Sequence, residues 1–543
     1  MIHKLSIVLL FLAATQFFSV STAQTVTSTT KVSNKYENWF NQDLTSDHKF
    51  GMSVDRTYEE LLKGKKSKTV IVAIIDSGID IFHEDLDGKV WTNPGEIAGN
   101  GIDDDHNGYV DDLHGWSFLG NSKGENIGYE NSEVCRLFKK LNPKYKDAIP
   151  DQVKPADTAE FHYYQKIKTA YQKAYDKDKE EVSKISKFAA NFQFADSVMG
   201  VFLNKTDYTL EDLKKAETDT VKSLIFSKNL LLFLYKQKDF SKSDFKEYLQ
   251  SVFVKLYCHD NVDFNPRDIV GDNPEDITDV KYGNNDVTGP DPDHGTHVAG
   301  IIGANRNNNI GIKGVADNIK IMSLRVVPDG DERDKDIALA IRYAADNGAK
   351  VINMSFGKEY SPQKKFIDDA VKYAVSKDVL FVHAAGNDAK DIDTAANYPS
   401  VNLLDHTNVK ANWITVGASS MKKGKNLPAS FSNYGKKEVD VFAPGVNIYS
   451  LKPGNTYKTN DGTSMASPMV AGLAALLRSY FPDLTAAQTK DIIVKSVNIY
   501  KHKVLLPQED GKKKPKIRFI ELSVSGGVVN AFNAVKLAET MTK

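Results

Sequence analysis

Six consecutive apolar residues, Val70-Ile71-Val72-Ala73-Ile74-Ile75, run straight into an aspartate, Asp76. A continuous run rich in β-branched residues marks a strand buried on both faces, as in a parallel sheet covered by helices. Later parts of the chain repeat the theme. Strands are predicted over 319–327, 351–356, 379–385, 414–418 and 439–442, and helices over 336–347, 366–376 and 486–497. Alternating strands and helices imply an α/β fold, a doubly wound parallel sheet with helices on both faces. Active sites in such sheets gather at the carboxyl ends of strands. Asp76, Ser355 and Asn387 each follow a strand. They are therefore expected to share one site. A lone carboxylate ending a buried strand needs a partner, although an aspartate that merely caps the next turn gives the same local pattern.

A chain of 543 residues suits one large domain with an insertion, or two to four domains. Residues 1–23 read as an export signal, with an apolar stretch from Ile7 to Ala14 and small residues at Ser21-Thr22-Ala23. That stretch is too short to span a membrane. The mature protein is expected to be exported, periplasmic or secreted, with no stable membrane insertion. Residues 24–50 are polar and expected to be partly loose. A main domain is expected over 51–120 and again over 261–543. Between them, over 121–260, glycine becomes scarce, and Lys, Glu, Tyr and Phe dominate at helical spacing. This reads as an inserted all-α lobe whose charge runs form a solvated face. Lys+Arg 70 against Asp+Glu 71 leaves a net charge of -1, so nothing points to nucleic acid as a partner. The chain has two cysteines, Cys135 and Cys258, near the ends of the inserted lobe. In an oxidising compartment they are expected to pair as one disulfide, with two buried thiols as the alternative.

The segment Gly462-Thr463-Ser464-Met465-Ala466-Ser467-Pro468 precedes an apolar, small-residue run from Met469 to Leu477. That run reads as a buried helix beginning near Ser464. A hydroxyl there lies at the positive end of the helix dipole, beside unpaired backbone N–H groups. A nucleophile needs these features when an oxyanion forms beside it. An ordinary N-capping residue is the alternative. His294 also opens a small-residue helix and reads as a general base. His297 lies three residues on, but no His-Glu-x-x-His pattern or nearby third ligand supports a metal there. Asp103, Asp105, Asn107 and Asp111 alternate around Gly108, with Tyr109 between them. This is oxygen-ligand spacing like the first part of an EF-hand loop, and it suggests calcium. His114 stands where the usual glutamate would be, with Asp112 as a compensating carboxylate. A solvated acidic turn is the alternative.

Three segments resemble the active-site motifs of subtilisin-family (subtilase) serine proteases. They are Ala73-Ile74-Ile75-Asp76-Ser77-Gly78, His294-Gly295-Thr296-His297-Val298-Ala299-Gly300 and Gly462-Thr463-Ser464-Met465-Ala466-Ser467-Pro468, in that family's order. The resemblance covers about residue 50 to the C-terminus outside the helical insertion. It implies a subtilisin-like fold in which Asp76 orients His294, His294 takes the proton of Ser464, and Ser464 attacks a peptide carbonyl. Ala384-Ala385-Gly386-Asn387 resembles the family's oxyanion segment, with the Asn387 amide and the Ser464 N–H as donors. Ser355, Phe356 and Gly357 resemble one wall of the main specificity pocket, facing Ala384, Ala385 and Gly386. Asn307 to Ile312 resembles the family's calcium loop. The set implied there is Asp85, Asn308 and the carbonyls of Arg306, Ile310 and Ile312. The implied function is a serine endopeptidase acting on polypeptides, with structural calcium and no cofactor for catalysis. The alternative is an inactive subtilase fold used as a binding module. That reading predicts loss of a triad member or of Asn387, and all four are present. Asp76 and His294 stand 218 residues apart, far more than in compact members. The stretch after the signal is also short for the family's usual prodomain. A tied helical lobe near the cleft is expected to narrow access to it.

Overall fold

The computed structural model describes residues 34–218, 220–237, 240–508 and 515–541. The leader expected over 1–23 lies outside them. The described residues fall into two compact units, one of Tyr129–Asn265 and one that joins the chain before Gly128 to the chain after Pro266.

The first unit is helical. Its main helices are α1 (Glu133–Tyr145), α2 (Thr158–Leu203), α3 (Leu210–Lys215), α4 (Lys222–Tyr235) and α5 (Lys242–Val254). Apolar residues at 3–4 spacing place Val182, Ala189, Phe192 and Met199 of α2 in one core with Leu213, Leu231, Leu249 and Val252. Thr209 and Asp212 form a capping box at α3, and Ser241 caps α5 through Asp244 N–H. Asp157, by contrast, caps nothing. Its carboxylate accepts from Lys144 at 3.0 Å, and Glu160 is held by the same lysine. The unit begins at Tyr129 and not at 121. Residues 121–128 stay with the other unit, where Asn284 Nδ2 donates to the Asn121 carbonyl at 3.1 Å and Ile127 is buried.

The second unit is built on a nine-stranded sheet. In chain order its strands are β1 (Val70–Asp76), β2 (Gly115–Ser117), β3 (Ile319–Arg325), β4 (Val351–Met354), β5 (Leu380–Ala384), β6 (Trp413–Ser419) and β7 (Val441–Pro444). After a hairpin of β8 (Ile448–Lys452) and β9 (Thr456–Asn460) comes β10 (Asn498–Ile499). A second hairpin pairs β11 (Lys503–Leu505) with β12 (Lys516–Arg518), and β13 (Gly527–Val528) returns to the sheet. The sheet order is β10-β13-β7-β6-β5-β4-β1-β3-β2, parallel throughout except for β10 against β13. Its covering helices are α6 (Asp293–Gly303), α7 (Asp334–Asp346), α8 (Lys364–Ser376), α9 (Thr463–Tyr480), α10 (Ala486–Lys495) and α11 (Ala531–Met541).

Alternate residues of β1 go to opposite cores. Val72 and Ile74 pack with α6 and α9, whereas Ala73 and Ile75 pack with α7 and α8. This explains the unbroken apolar run: both faces of the strand are covered. Each fully buried branched side chain contributes about 1.5–3 kcal/mol. β1 lies between β3 and β4, which are added on opposite sides of it. That reversal makes the carboxyl end of β1 the switch point of the sheet. The stretch expected to be partly loose is anchored in its described part, although Thr45 to His48 are exposed. Trp39, Phe40 and Phe50 are buried, and Trp39 Nε1 donates to the Asn447 carbonyl at 2.9 Å.

The disulfide expected between Cys135 and Cys258 is not formed, and both side chains are buried thiols. The fold does bring their segments together. Asn131 Nδ2 lies 4.0 Å from Cys135 Sγ and donates to the Cys258 carbonyl at 2.9 Å. Burial pushes the Cys135 thiol up to about 12, aided by nearby Asp260, so it resists forming the reactive thiolate. Thiol titration should therefore find no fast-reacting group in the native protein and two after unfolding without reductant. A count of zero after unfolding would restore the bridge.

Candidate active site

The site forms where β1, β4 and β5 end. Asp76 closes β1 and is only 2% exposed. Its Oδ1 accepts from the Ser77 N–H at 2.8 Å and faces His294 Nδ1 at 2.7 Å. His294 lies in the first turn of α6, and Gly295 beside it permits the approach. A Cβ on Gly295 would sit 2.1 Å from the Gly78 carbonyl oxygen and 3.3 Å from Asp76 Cβ. With Nδ1 protonated toward the carboxylate, Nε2 is left as the base. Burial favours the neutral ring, but the Asp76 charge and hydrogen bond outweigh it and raise the His294 pKa. The ring keeps an open edge, with its side chain 40% exposed.

Ser464 stands in the first turn of α9, which Gly462 precedes. Pro468, four residues on, has no N–H to offer the Ser464 carbonyl. The Ser355 hydroxyl donates to that carbonyl instead, at 3.0 Å. In return the Ser464 hydroxyl donates to the Ser355 carbonyl, also at 3.0 Å. The Ser464–His294 hydrogen bond implied by the triad is thus replaced by one to Ser355, because this side-chain rotamer points at β4. Catalytic contacts are commonly loose before substrate binds. Since β4 adjoins β1, the exchange still sets Ser464 beside the Asp76–His294 pair.

Asn387 follows β5. Its Oδ1 accepts from both Thr463 N–H and Thr463 Oγ, each at 2.9 Å. The carbonyl end of the amide is thereby held, and Nδ2 is left to point outward. A Cβ placed on Gly462 would lie 3.5 Å from Ser464 N and 3.7 Å from Asn387 Nδ2, so both donors border one open spot. Gly386 holds φ at +98°, and its N–H donates to Thr463 Oγ at 3.1 Å. Ser355, Ala384 and Ala385 are buried, Phe356 is half-buried and Gly357 is exposed. The gap between these two segments holds Asn397, whose Nδ2 donates to the Ala384 and Ala385 carbonyls at 3.2 and 3.1 Å.

A family profile described as the subtilase family matches residues 67–516. The chain belongs to the subtilase family. The Thermophilic serine proteinase of Bacillus sp. (strain AK1) is 46% identical over 34% of this chain and 42% of its own length. Subtilisin BL of Lederbergia lenta is 40% identical over 36% of this chain and 67% of its own. Thermitase of Thermoactinomyces vulgaris is 43% identical over 34% of this chain and 61% of its own. The chain thus spans about two-fifths to two-thirds of the length of these subtilases.

Thr463, Asn397 and Asn433 were not singled out in the sequence. Asn433 Nδ2 donates to the Ala385 carbonyl at 2.8 Å, and its Oδ1 accepts from Asp388 and Lys390 N–H. Only the position of Thr463 beside Ser464 could have signalled a role. His297 Nε2 faces the Ile448 and Lys458 carbonyls at 3.1 and 3.2 Å, and burial lowers its pKa to about 4.

The acidic loop differs from the expected ligand set. The carboxylates that converge are Glu96, Asp105 and Asp112. Asp111 turns away to accept the Asn100 and Gly101 N–H groups, and Asp103 accepts from Asn107 and Gly108 N–H. Asn107 Nδ2 donates to Asp105 and Asp112, while Tyr109 packs its ring on Trp116 and Tyr343. The second loop does bring Asp85, Asn308 and Ile312 together. Fully buried Asp85 accepts from Asn308 Nδ2 at 2.8 Å and Ile312 N–H at 3.1 Å. Ile310 N–H donates to Asn308 Oδ1 at 3.2 Å. The Arg306 guanidinium reaches Asp55 and the Gly314 carbonyl, so its side chain takes no part.

Asp76→Asn should move the acid limb of kcat/KM to lower pH. Removing the carboxylate takes away the largest contributions that oppose burial and leaves only the charges of Asp293 and Asp291 against it, so the His294 pKa falls and the ring stays neutral further into acid. The plateau should drop roughly 10⁴-fold, because the ring loses its orienting partner. A pH–rate profile with an unchanged acid limb would remove Asp76 from this role.

Proposed function

We propose that this subtilase is an exported endopeptidase that cleaves polypeptides through an acyl-enzyme on Ser464, with calcium stiffening two loops. The 2.7 Å contact between buried Asp76 and His294, at the edge that also carries Ser464 and Asn387, supports this reading best. His294 Nε2 takes the Ser464 proton as Oγ bonds to the scissile carbonyl carbon, and then gives it to the leaving amine. Water repeats the sequence to free the acyl half. The developing oxyanion lies between Ser464 N–H and Asn387 Nδ2. The acyl side of the peptide runs along Ser355–Gly357 and Ala384–Gly386. Ser464→Ala should lower turnover of a general protein substrate roughly 10⁶-fold with the fold intact. Asn387→Leu should cost about 10²–10³-fold in kcat.

Two donor sets fit a hard cation. Glu96 Oε2 is buried without a partner beside the Asp105 and Asp112 carboxylates. Asp85 is buried with only neutral donors around it, and burial raises its pKa. Calcium held by Glu96, Asp105 and Asp112, and at the second loop by the Asp85 carboxylate, would neutralise both. Export rests on the leader-like residues 1–23. Among the described residues, no helix is long and apolar enough to cross a membrane. Chelation of the isolated protein should lower its Tm, and added calcium should restore it. A Tm unmoved by chelator would count against both sites.

A further inference from the structure

Beyond Asn387 the carboxyl edge of the sheet continues with the loops after β6 and β7. These loops and the chain near residues 35 and 49 enclose a groove of about 1020 Å³. Five lysines line it: Lys35, Lys49, Lys422, Lys423 and Lys425. Among the described residues the acidic side chain lining it is Asp461, and its carboxylate accepts the Asn447 N–H. Among the described residues none of the five lysines has a carboxylate at ion-pair distance, and all but Lys49 are exposed. Apolar side chains, among them Met421, Phe431 and Leu506, form the rest of the wall. Charge on the protein as a whole is balanced at -1, so this surplus is local.

The groove is continuous with the catalytic turn. Asp461 lines it, and three residues later in the chain comes Ser464. Gly462 N–H is tied to the Gly445 carbonyl after β7 at 2.8 Å. Sheet order supplies a direction. Going outward from β1, the β4 and β5 ends carry Ser355–Gly357 and Ala384–Gly386, and the β6 and β7 loops that carry the groove come next. A peptide whose acyl half lies along β4 and β5 meets the lysines when it continues outward past Asn387.

We propose that this groove receives the segment after the scissile bond and selects for acidic side chains in it. The inference rests on the endopeptidase reading above. Apolar walls accept the stems of such residues, and the lysine ammonium groups attract their carboxylates.

The test uses internally quenched peptides that are identical up to the scissile bond. Beyond it they carry Asp and Glu, or Asn and Gln, or Lys. The acidic peptide should have the highest kcat/KM. Two or three exposed ion pairs of ordinary strength correspond to roughly three- to thirty-fold over the neutral peptide at low salt. Most of that gain should vanish at about 1 M salt, where charges are screened beyond a few ångströms. The triple variant Lys422→Glu, Lys423→Glu, Lys425→Glu should reverse the order while cleaving the neutral peptide as the parent does. A parent that cleaves acidic and neutral peptides equally at low salt overturns the proposal and leaves the endopeptidase reading standing. So does a triple variant that retains the acidic preference. A parent that cleaves none of the peptides overturns both. The salt series on the parent decides the matter even if the variant does not fold.

Discussion

A carboxylate with 2% exposure at the end of a doubly covered strand imposes a demand on everything near it. Burying a charge is costly unless it is paired and hydrogen-bonded. Asp76 Oδ1 meets this with the Ser77 N–H and with His294, on a helix that can close in because residue 295 is glycine, while Oδ2 is buried without a partner among the described residues. The demand and the chemistry coincide. The same charge that must be compensated raises the basicity of the ring, and the same contact fixes which nitrogen carries the proton. Beneath this pair, Arg325 of β3 donates to the Ser77 carbonyl at 3.0 Å and holds the turn that follows Asp76. It is buried, and burial lowers its pKa to about 10.

The rest of the site is held by exchanges between neutral polar groups. Pro468 deprives Ser464 of a helical partner, and Ser355 supplies one from the neighbouring strand end. Asn353 Nδ2 donates to Ser355 Oγ at 3.0 Å, and Ser467 Oγ donates to Asn353 Oδ1 at 2.8 Å. The helix that carries Ser464 is thus locked to β4 through buried hydrogen bonds. Thr463 does the same for β5 by fixing Asn387. Such networks orient groups firmly when every member is satisfied. They explain why small polar residues cluster beside the catalytic ones.

The helical unit and the acidic loop sit within a chain whose family profile spans most of its length. The helical unit leaves the sheet unit at Gly128, whose carbonyl accepts the Asp329 N–H at 2.8 Å, and the chain returns at Pro266. Both junctions lie outside the strands, so the interruption costs the sheet no ladder hydrogen bond. The acidic loop makes a different point. Its alternating spacing pointed to cation chemistry, yet Asp103 and Asp111 serve as acceptors for the loop's own backbone. Short polar side chains bind nearby N–H groups readily, so spacing alone cannot say which will turn inward.

What the sequence determined by itself was periodicity and local chemistry. The unbroken run in β1, the alternation of strands and helices and three short motifs were enough for the sheet and for helices on both faces, and they singled out Asp76, His294, Ser464 and Asn387 as candidates. These properties are local, because apolar period and turn residues act within a few positions. The tertiary structure decided whatever depends on partners distant in the chain. It packed Trp39 and Phe40 into the core, paired Ser464 with Ser355, and set Thr463 on Asn387. It left Cys135 and Cys258 unbridged, although Asn131 touches both of their segments. It also brought Glu96 to Asp105 and Asp112, and gathered five lysines from three separate stretches into one groove. Side-chain direction and three-dimensional proximity follow from packing, and no spacing rule within one segment carries them.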